Sequence, residues 1–215
     1  MIFYATALSS YSAKVRIALC AKGVVFEERL PPGGYRSAQY QAIVPMGKLP
    51  AIQEGDWVLS ESEAINEYLE ERYPEPPLLP QGAQERAQVR FLCRFHDLYL
   101  EPPVRALFAQ VDPTKRDPER VSLLRQDIAR RLGQLAQWAR PHPYLLTPSL
   151  SLADCGPLVT LPLAGAVLSA CGQALALPDV LQRWLEAASQ HPAVAQALLP
   201  WHQATQAWLY PKETR

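Results

Sequence analysis

A chain of 215 residues with 21 Lys+Arg and 21 Asp+Glu has no formal net charge, so its composition does not steer it to nucleic acid or to an anionic membrane face. The length suits one large or two modest domains, each able to bury a core. The 21 prolines are spread along the chain, and the four cysteines, Cys20, Cys93, Cys155 and Cys171, have no C-x-x-C spacing. They are expected to be reduced thiols of a cytoplasmic protein, and the N-terminal residues lack the basic-then-apolar order of a secretion leader.

Met1–Ala5 predicts a buried strand. Ser9-Ser10-Tyr11-Ser12 then leads into Ala13–Cys20, whose apolar Val15, Ala18 and Leu19 against Lys14, Arg16 and Lys22 predict an amphipathic helix over about 10–22. A second strand is expected near 25–30, a helical turn near 36–43, and a third strand near 49–53. Glu54-Gly55-Asp56 between apolar runs predicts a hairpin into a short strand at Trp57-Val58-Leu59. Ser60 with Glu63 has the spacing of a capping box, opening a helix over about 61–72. The sum is βαβ followed by ββα, a thioredoxin-like arrangement. Tyr73–Pro80 ends it in a proline-rich linker. The boundaries expected are a first domain over 1–76, a linker at 77–83 and a second domain from 84 to 215.

Strand signals then vanish. Residues 83–110, 118–139, 152–171, 178–190 and 193–209 read as helices, and Pro102-Pro103 must interrupt the first of them. In that helix Arg86, Arg90 and Arg94 fall four apart, opposite Val89, Leu92, Phe95 and Leu98, a stripe suited to solvent or to a second subunit. His96-Asp97 is discounted as a dyad because helical neighbours point about 100° apart. Ser151 and Asp154 bracket another helix start. Cys155–Leu177 contains no charge and is long enough to span a bilayer, but its prolines and glycines and the lack of flanking anchors favour a buried central helix.

Three features carry chemistry. Serines at a helix N-terminus place hydroxyls and the positive end of a helix dipole where a thiolate is stabilised. Met46–Ile52 contains a proline that belongs at a strand start or sheet edge, and the backbone of Leu49 before it is available to an extended peptide. The helix start at Glu61-Ser62 presents an acceptor beside a donor, what the zwitterionic end of an α-amino acid requires. The whole describes a site for a small anionic peptide with a thiol. No metal motif, Walker loop or dinucleotide fingerprint appears.

In these residues the chain resembles the cytosolic glutathione transferases, and its Ser-Ser-x-Ser-x-Lys-Val-Arg-Ile-Ala-Leu-like run is similar to the zeta class and its bacterial relatives. The resemblance covers nearly the whole chain and is most specific over the first 75 residues. It implies an α/β thioredoxin-like domain (βαβαββα) followed by an all-α domain. The co-substrate is then glutathione, no metal takes part, and the chain is a homodimer whose first domain faces the other chain's second. It also implies a cis Leu49–Pro50 bond and a hydroxyl that donates to the glutathione sulfur. The zeta-like register assigns that hydroxyl to Ser9 and a theta-like one to Ser10. Tyr11 stands where the zeta pattern commonly has cysteine and is a third candidate. Ser12, Lys48, Leu49, Pro50, Glu61 and Ser62 are the implied glutathione-binding set. Tyr11, Tyr99, Trp201 and Trp208 are the candidates for an electrophile pocket. In the family a Ser/Thr-x-x-Asp box opens the central helix of the second domain, as Ser151–Asp154 does here, although Pro157 and Pro162 depart from the pattern. The expected activity is attack of the glutathione thiolate on a small hydrophobic electrophile, with isomerisation or dehalogenation as variants. The competing reading is a non-catalytic partner of RNA polymerase like the stringent-starvation proteins, which share the fold.

Overall fold

The apolar run at the N-terminus becomes β1 (Ile2–Tyr4), one of the two central strands of a four-stranded sheet in the computed structural model, which describes residues 1–141 and 143–211. Helix α1 (Ser10–Ala21) connects β1 to a parallel neighbour, β2 (Glu27–Arg29). After the short α2 (Ala38–Gln41) come β3 (Ala51–Glu54) and β4 (Trp57–Ser60), both antiparallel, and then α3 (Ser62–Arg72). The strand order is β2-β1-β3-β4, the thioredoxin-like βαβαββα expected from the sequence. Gly55, at φ +59°, supplies the left-handed turn that the β3–β4 hairpin needs.

Strand alternation divides the two faces. Tyr4 and Ala51 pack with Tyr40 and Val44, and the Tyr4 and Tyr40 rings meet edge to face at 5.6 Å, which puts α2 on this face. Phe3 and Ile52, register partners, point the other way, toward α1, where the Arg16 guanidinium lies 5.7 Å from the Phe3 ring.

Two details of the sequence reading are corrected here. Helix α1 does not send its cations to solvent: Lys14, Arg16 and Lys22 are all buried. Each meets a carboxylate from another segment, Lys14 with Glu63 at 2.6 Å, Arg16 bidentate with Glu28 at 2.7 and 2.9 Å, and Lys22 with Glu70 at 2.7 Å. Burial of a cation is tolerated only with such partners, and none of the pairings is visible from helical periodicity. Lys22 also donates to the carbonyls of Tyr73 and Pro76, which fastens the start of the linker to α1. Second, Ser60 and Glu63 form no capping box. Ser60 is the last residue of β4, Glu61 occupies the N-cap position, and Glu63 turns inward to Lys14.

The remaining elements are helical. They are α4 (Ala83–Phe95), a π-helical turn (His96–Leu100), α5 (Glu101–Ala106), a 3₁₀ turn (Leu107–Gln110), α6 (Pro118–Trp138), α7 (Leu152–Cys155), α8 (Pro157–Ala170), α9 (Asp179–Ala188) and α10 (Pro192–Leu209). The interruption expected from Pro102-Pro103 is this π-helical turn. The chain divides into two compact units, residues 1–78 with 192–204, and residues 79–191 with the segment from 205 on.

Asp154 organises the centre of the second unit. It is fully buried, and its two carboxylate oxygens accept from the N–H and hydroxyl of Ser151, the Leu145 N–H and the Trp184 indole at 2.7–2.9 Å. Burial pushes its pKa up, and these four bonds oppose the rise. The apolar segment Leu152–Ala170 is long enough to cross a membrane, but 78% of its most apolar stretch is buried within the protein, as in a core helix.

Candidate functional site

Sheet register gathers the candidate residues of the first unit. Tyr4, the last residue of β1, pairs with Ala51, the first of β3, and Ala51 pairs with Ser60, the last of β4. These three residues form one row across the end of the sheet. The chain leaves that row toward Ser9 and the start of α1, enters it from Leu49-Pro50, and leaves it again into Glu61 and the start of α3. Segments as far apart in the chain as Ser9 and Ser62 therefore share one edge.

At the first, Ser9 is the N-cap of α1, and its Oγ accepts from the Ser12 N–H at 3.1 Å. A hydroxyl in that role uses a lone pair and keeps its proton to donate outward. Ser10 opens the helix and is buried, Tyr11 is half-buried, and Ser12 is wholly buried, with a hydroxyl that has no partner. Of the four, Ser12 is the most deeply buried.

The second segment is held from beneath. Leu49–Pro50 is a cis peptide, as expected. Pro50 is buried, Leu49 packs against the Tyr4–Tyr40 cluster, and Lys48 is exposed. The Tyr40 phenol, itself wholly buried, donates to the Lys48 carbonyl at 2.9 Å. Burial pushes that phenol's pKa well above its ordinary range, so it remains a donor. Gly47, at φ +61°, lies against Arg36, whose Cα would sit 3.1 Å from any β-carbon added there. Arg36 is itself at φ +61°, and its guanidinium lies 5.1 Å from the centroid of the Tyr35 ring. Nothing in the sequence around Arg36 marks it, since its proximity to Gly47 comes from the fold.

The third segment is the most unusual in its backbone. Glu61 has φ +75° and ψ +116°, a region that non-glycine residues avoid at a cost of about 1–3 kcal/mol. That turn leaves the Glu61 side chain exposed and buries Ser62 at the first position of α3. Helix N-termini carry unpaired N–H groups and a positive dipole end, so an anion in front of Ser62 is favoured.

The electrophile-pocket candidates Trp201, Trp208 and Tyr99 each have an aromatic or cationic neighbour. Trp201 is 1% exposed, its ring centroid 5.0 Å from that of His202. Trp208 stacks edge to face on Phe108, and Tyr99 lies under the Arg131 guanidinium. His96 and Asp97, discounted from helical geometry, do pair, Nδ1 to Oδ1 at 2.8 Å, at the start of the π-helical turn. His96 Nε2 also meets the Thr160 hydroxyl at 2.7 Å, and both side chains are buried. Among the described residues no three His, Cys, Asp or Glu side chains gather as a metal site, and none of the four cysteines forms a disulfide.

A thioredoxin-like sheet with paired helix starts at one end, followed by an all-helical unit, defines the class as the glutathione-transferase fold. Comparison with known proteins agrees. Residues 3–77 match the family model of the glutathione S-transferase N-terminal domain. The chain is 43% identical to glutathione S-transferase 1 of Dianthus caryophyllus over 160 residues, 72% of each protein. It is 31% identical to a stringent starvation protein A homolog of Pasteurella multocida, over 72% of this chain and 70% of that one. It superimposes on BphK, a bacterial transferase solved as a ternary complex, with a TM-score of 0.75 and 28% identity, covering 95% of this chain and 99% of that one. The chain belongs to the glutathione S-transferase family.

Proposed function

We propose that the chain is a glutathione-dependent enzyme of the serine type, zeta-like in its first domain, that activates the glutathione thiolate for attack on a small hydrophobic electrophile. The reading rests on one observation above all, the row Tyr4–Ala51–Ser60, which brings Ser9, Leu49 and Glu61-Ser62 to one end of the sheet. Glutathione lies along that end. Ser62 and the N-terminus of α3 receive its γ-glutamyl carboxylate, and Glu61 accepts from the adjacent ammonium. The Leu49 backbone pairs with the cysteinyl residue, and Lys48 meets the glycyl carboxylate. The sulfur faces the start of α1, where the Ser9 hydroxyl donates to it. Favouring thiolate over thiol lowers the sulfur's pKa from about 8.5 toward neutrality, at about 1.4 kcal/mol per unit. Proximity of a bound electrophile supplies the rest of the rate. The enzyme is cytoplasmic and dimeric in this reading.

The likeness to a stringent starvation protein A homolog supports a second reading, a binding protein that has kept the fold without the chemistry. Retention on immobilised glutathione separates the two. The enzyme binds the resin and turns over 1-chloro-2,4-dinitrobenzene, and Ser62→Ala loses about 1.5–3 kcal/mol of glutathione affinity, the worth of a hydrogen bond to a charged group. A chain that passes through the resin and has equal affinities before and after that substitution is the binding protein.

A further inference from the structure

Glu63 is the second residue of α3 and follows Ser62 directly. Helix α3 has no side-chain cap and starts from the strained Glu61, so an acidic residue in its first turn supplies the stabilisation that a cap would have given. The same charge opposes a ligand. The open N–H groups at that helix start favour an anion in front of Ser62, and a bare carboxylate one residue further on offsets their field and repels the anion.

Lys14 changes this balance. It is the fifth residue of α1, its side chain is 1% exposed, and its ammonium stands 2.6 Å from Glu63 Oε2. Both Glu63 oxygens are closed off from solvent and lack a hydrogen-bond donor of good geometry among the described residues. Pairing with a cation is therefore what compensates the burial of that carboxylate. A buried pair of this kind adds little net stability, because desolvating two charges consumes most of their attraction. Holding α1 against α3 does not require it, since apolar residues of similar volume would pack there as well. What the ammonium does, and no apolar residue could, is cancel the charge of Glu63 beside a ligand's anion.

We propose that Lys14 sets the affinity of the site for the α-carboxylate of a γ-glutamyl ligand by neutralising Glu63 at the start of α3, an inference that rests on the function proposed above. Lys14 acts through Glu63. The pair lets α3 carry a stabilising acid in its first turn while the helix start stays attractive to an anion.

Two peptides separate this role from simple packing. Glutathione carries the α-carboxylate; 4-aminobutyryl-cysteinylglycine keeps the ammonium, the thiol and the glycyl carboxylate but lacks it. In calorimetric titrations of the full chain, Lys14→Met should weaken glutathione about three- to thirty-fold, the range for one charge at a partly buried helix end, and should not weaken the aminobutyryl peptide. Glu63→Gln should act in the opposite direction and tighten glutathione about two-fold or more. The double variant, with no charge in the pair, should return to the wild-type affinity. Where Lys14→Met unfolds because a buried carboxylate is left unpaired, the sign of the Glu63→Gln effect and the affinity of the double variant decide. Weaker glutathione binding in Glu63→Gln, or equal losses for both peptides in Lys14→Met, overturns the inference, because the pair then serves only to hold two helices together. A double variant that stays weak does the same. If the wild-type chain binds neither peptide, the function proposed above falls first and takes this inference with it.

Discussion

Ser9 is the N-cap of α1. Its oxygen caps α1 through the Ser12 N–H, and in the function proposed above its proton donates to the glutathione sulfur. Ser9→Ala should therefore cost about 1 kcal/mol of stability, the usual value of an N-cap. In the glutathione complex it should raise the thiol pKa by about one to two units, and turnover at neutral pH should fall roughly ten- to a hundred-fold. Thiolate absorbance in the ultraviolet, followed against pH for Ser9→Ala, Ser10→Ala and Tyr11→Phe, assigns the donor. A shift confined to Ser10→Ala gives the theta-like register, and one confined to Tyr11→Phe makes the phenol the donor. At Glu61 the backbone itself is informative. A left-handed, non-glycine residue at the start of α3 is strained, and glycine there relieves the strain at some entropic cost. Glu61→Gly should stabilise the fold by about 1 kcal/mol in denaturant melts while weakening retention on glutathione. Loss on both counts would mean that the carboxylate, not the backbone, holds the turn.

Among the elements, the π-helical turn changes the reading of the helix that contains it most. A 3.6-residue period places Leu98 with the buried residues Val89 and Leu92, yet Leu98 is 50% exposed, because the extra residue of the π turn rotates everything after His96. His96 anchors the turn through Asp97 and Thr160, and its ring lies so close to Gly156, between α7 and α8, that a β-carbon there would come within 2.6 Å of Nδ1. Gly156 is therefore required by packing. Gly156→Ala should destabilise the protein by several kcal/mol, in the range of about 1–3 or more for overpacking. The same substitution in a His96→Ala background should cost far less, a coupling that a double-mutant cycle of unfolding free energies measures directly. Equal costs in the two backgrounds would show that the ring moves aside. Helix α1 makes a related point. The spacing of its apolar residues was sufficient to identify the helix, but its three cations are buried, and only their carboxylate partners on other segments explain how that is possible.

At the scale of the molecule, Tyr40 couples pH to the fold. Its folded pKa is raised by burial, so the protonated phenol is the form that the native state favours. The stability it contributes is fully present below about pH 10, the ordinary tyrosine value, and is lost as pH rises beyond it. Tyr40→Phe should cost about 1 kcal/mol at neutral pH, with the hydrogen bond to Lys48, yet its stability should fall less steeply between pH 9 and 11. Denaturant midpoints across that range check it, and parallel curves would remove Tyr40 as the titrating group. Taken alone, the amino-acid order determined the strands and helices, the hairpin at Gly55, the interruption at Pro102-Pro103 and the Ser151–Asp154 staple, because each depends on neighbours within a few positions. It also nominated Ser9, Leu49 and Ser62, since helix starts and prolines leave local marks. Only the tertiary structure decided that Tyr4, Ala51 and Ser60 form one row, that Lys14 turns to Glu63 instead of Glu63 to Ser60, and that His96 pairs with Asp97 across a π turn. Those outcomes depend on which distant segments meet, and strand register and helix packing set that with no local signature in the chain.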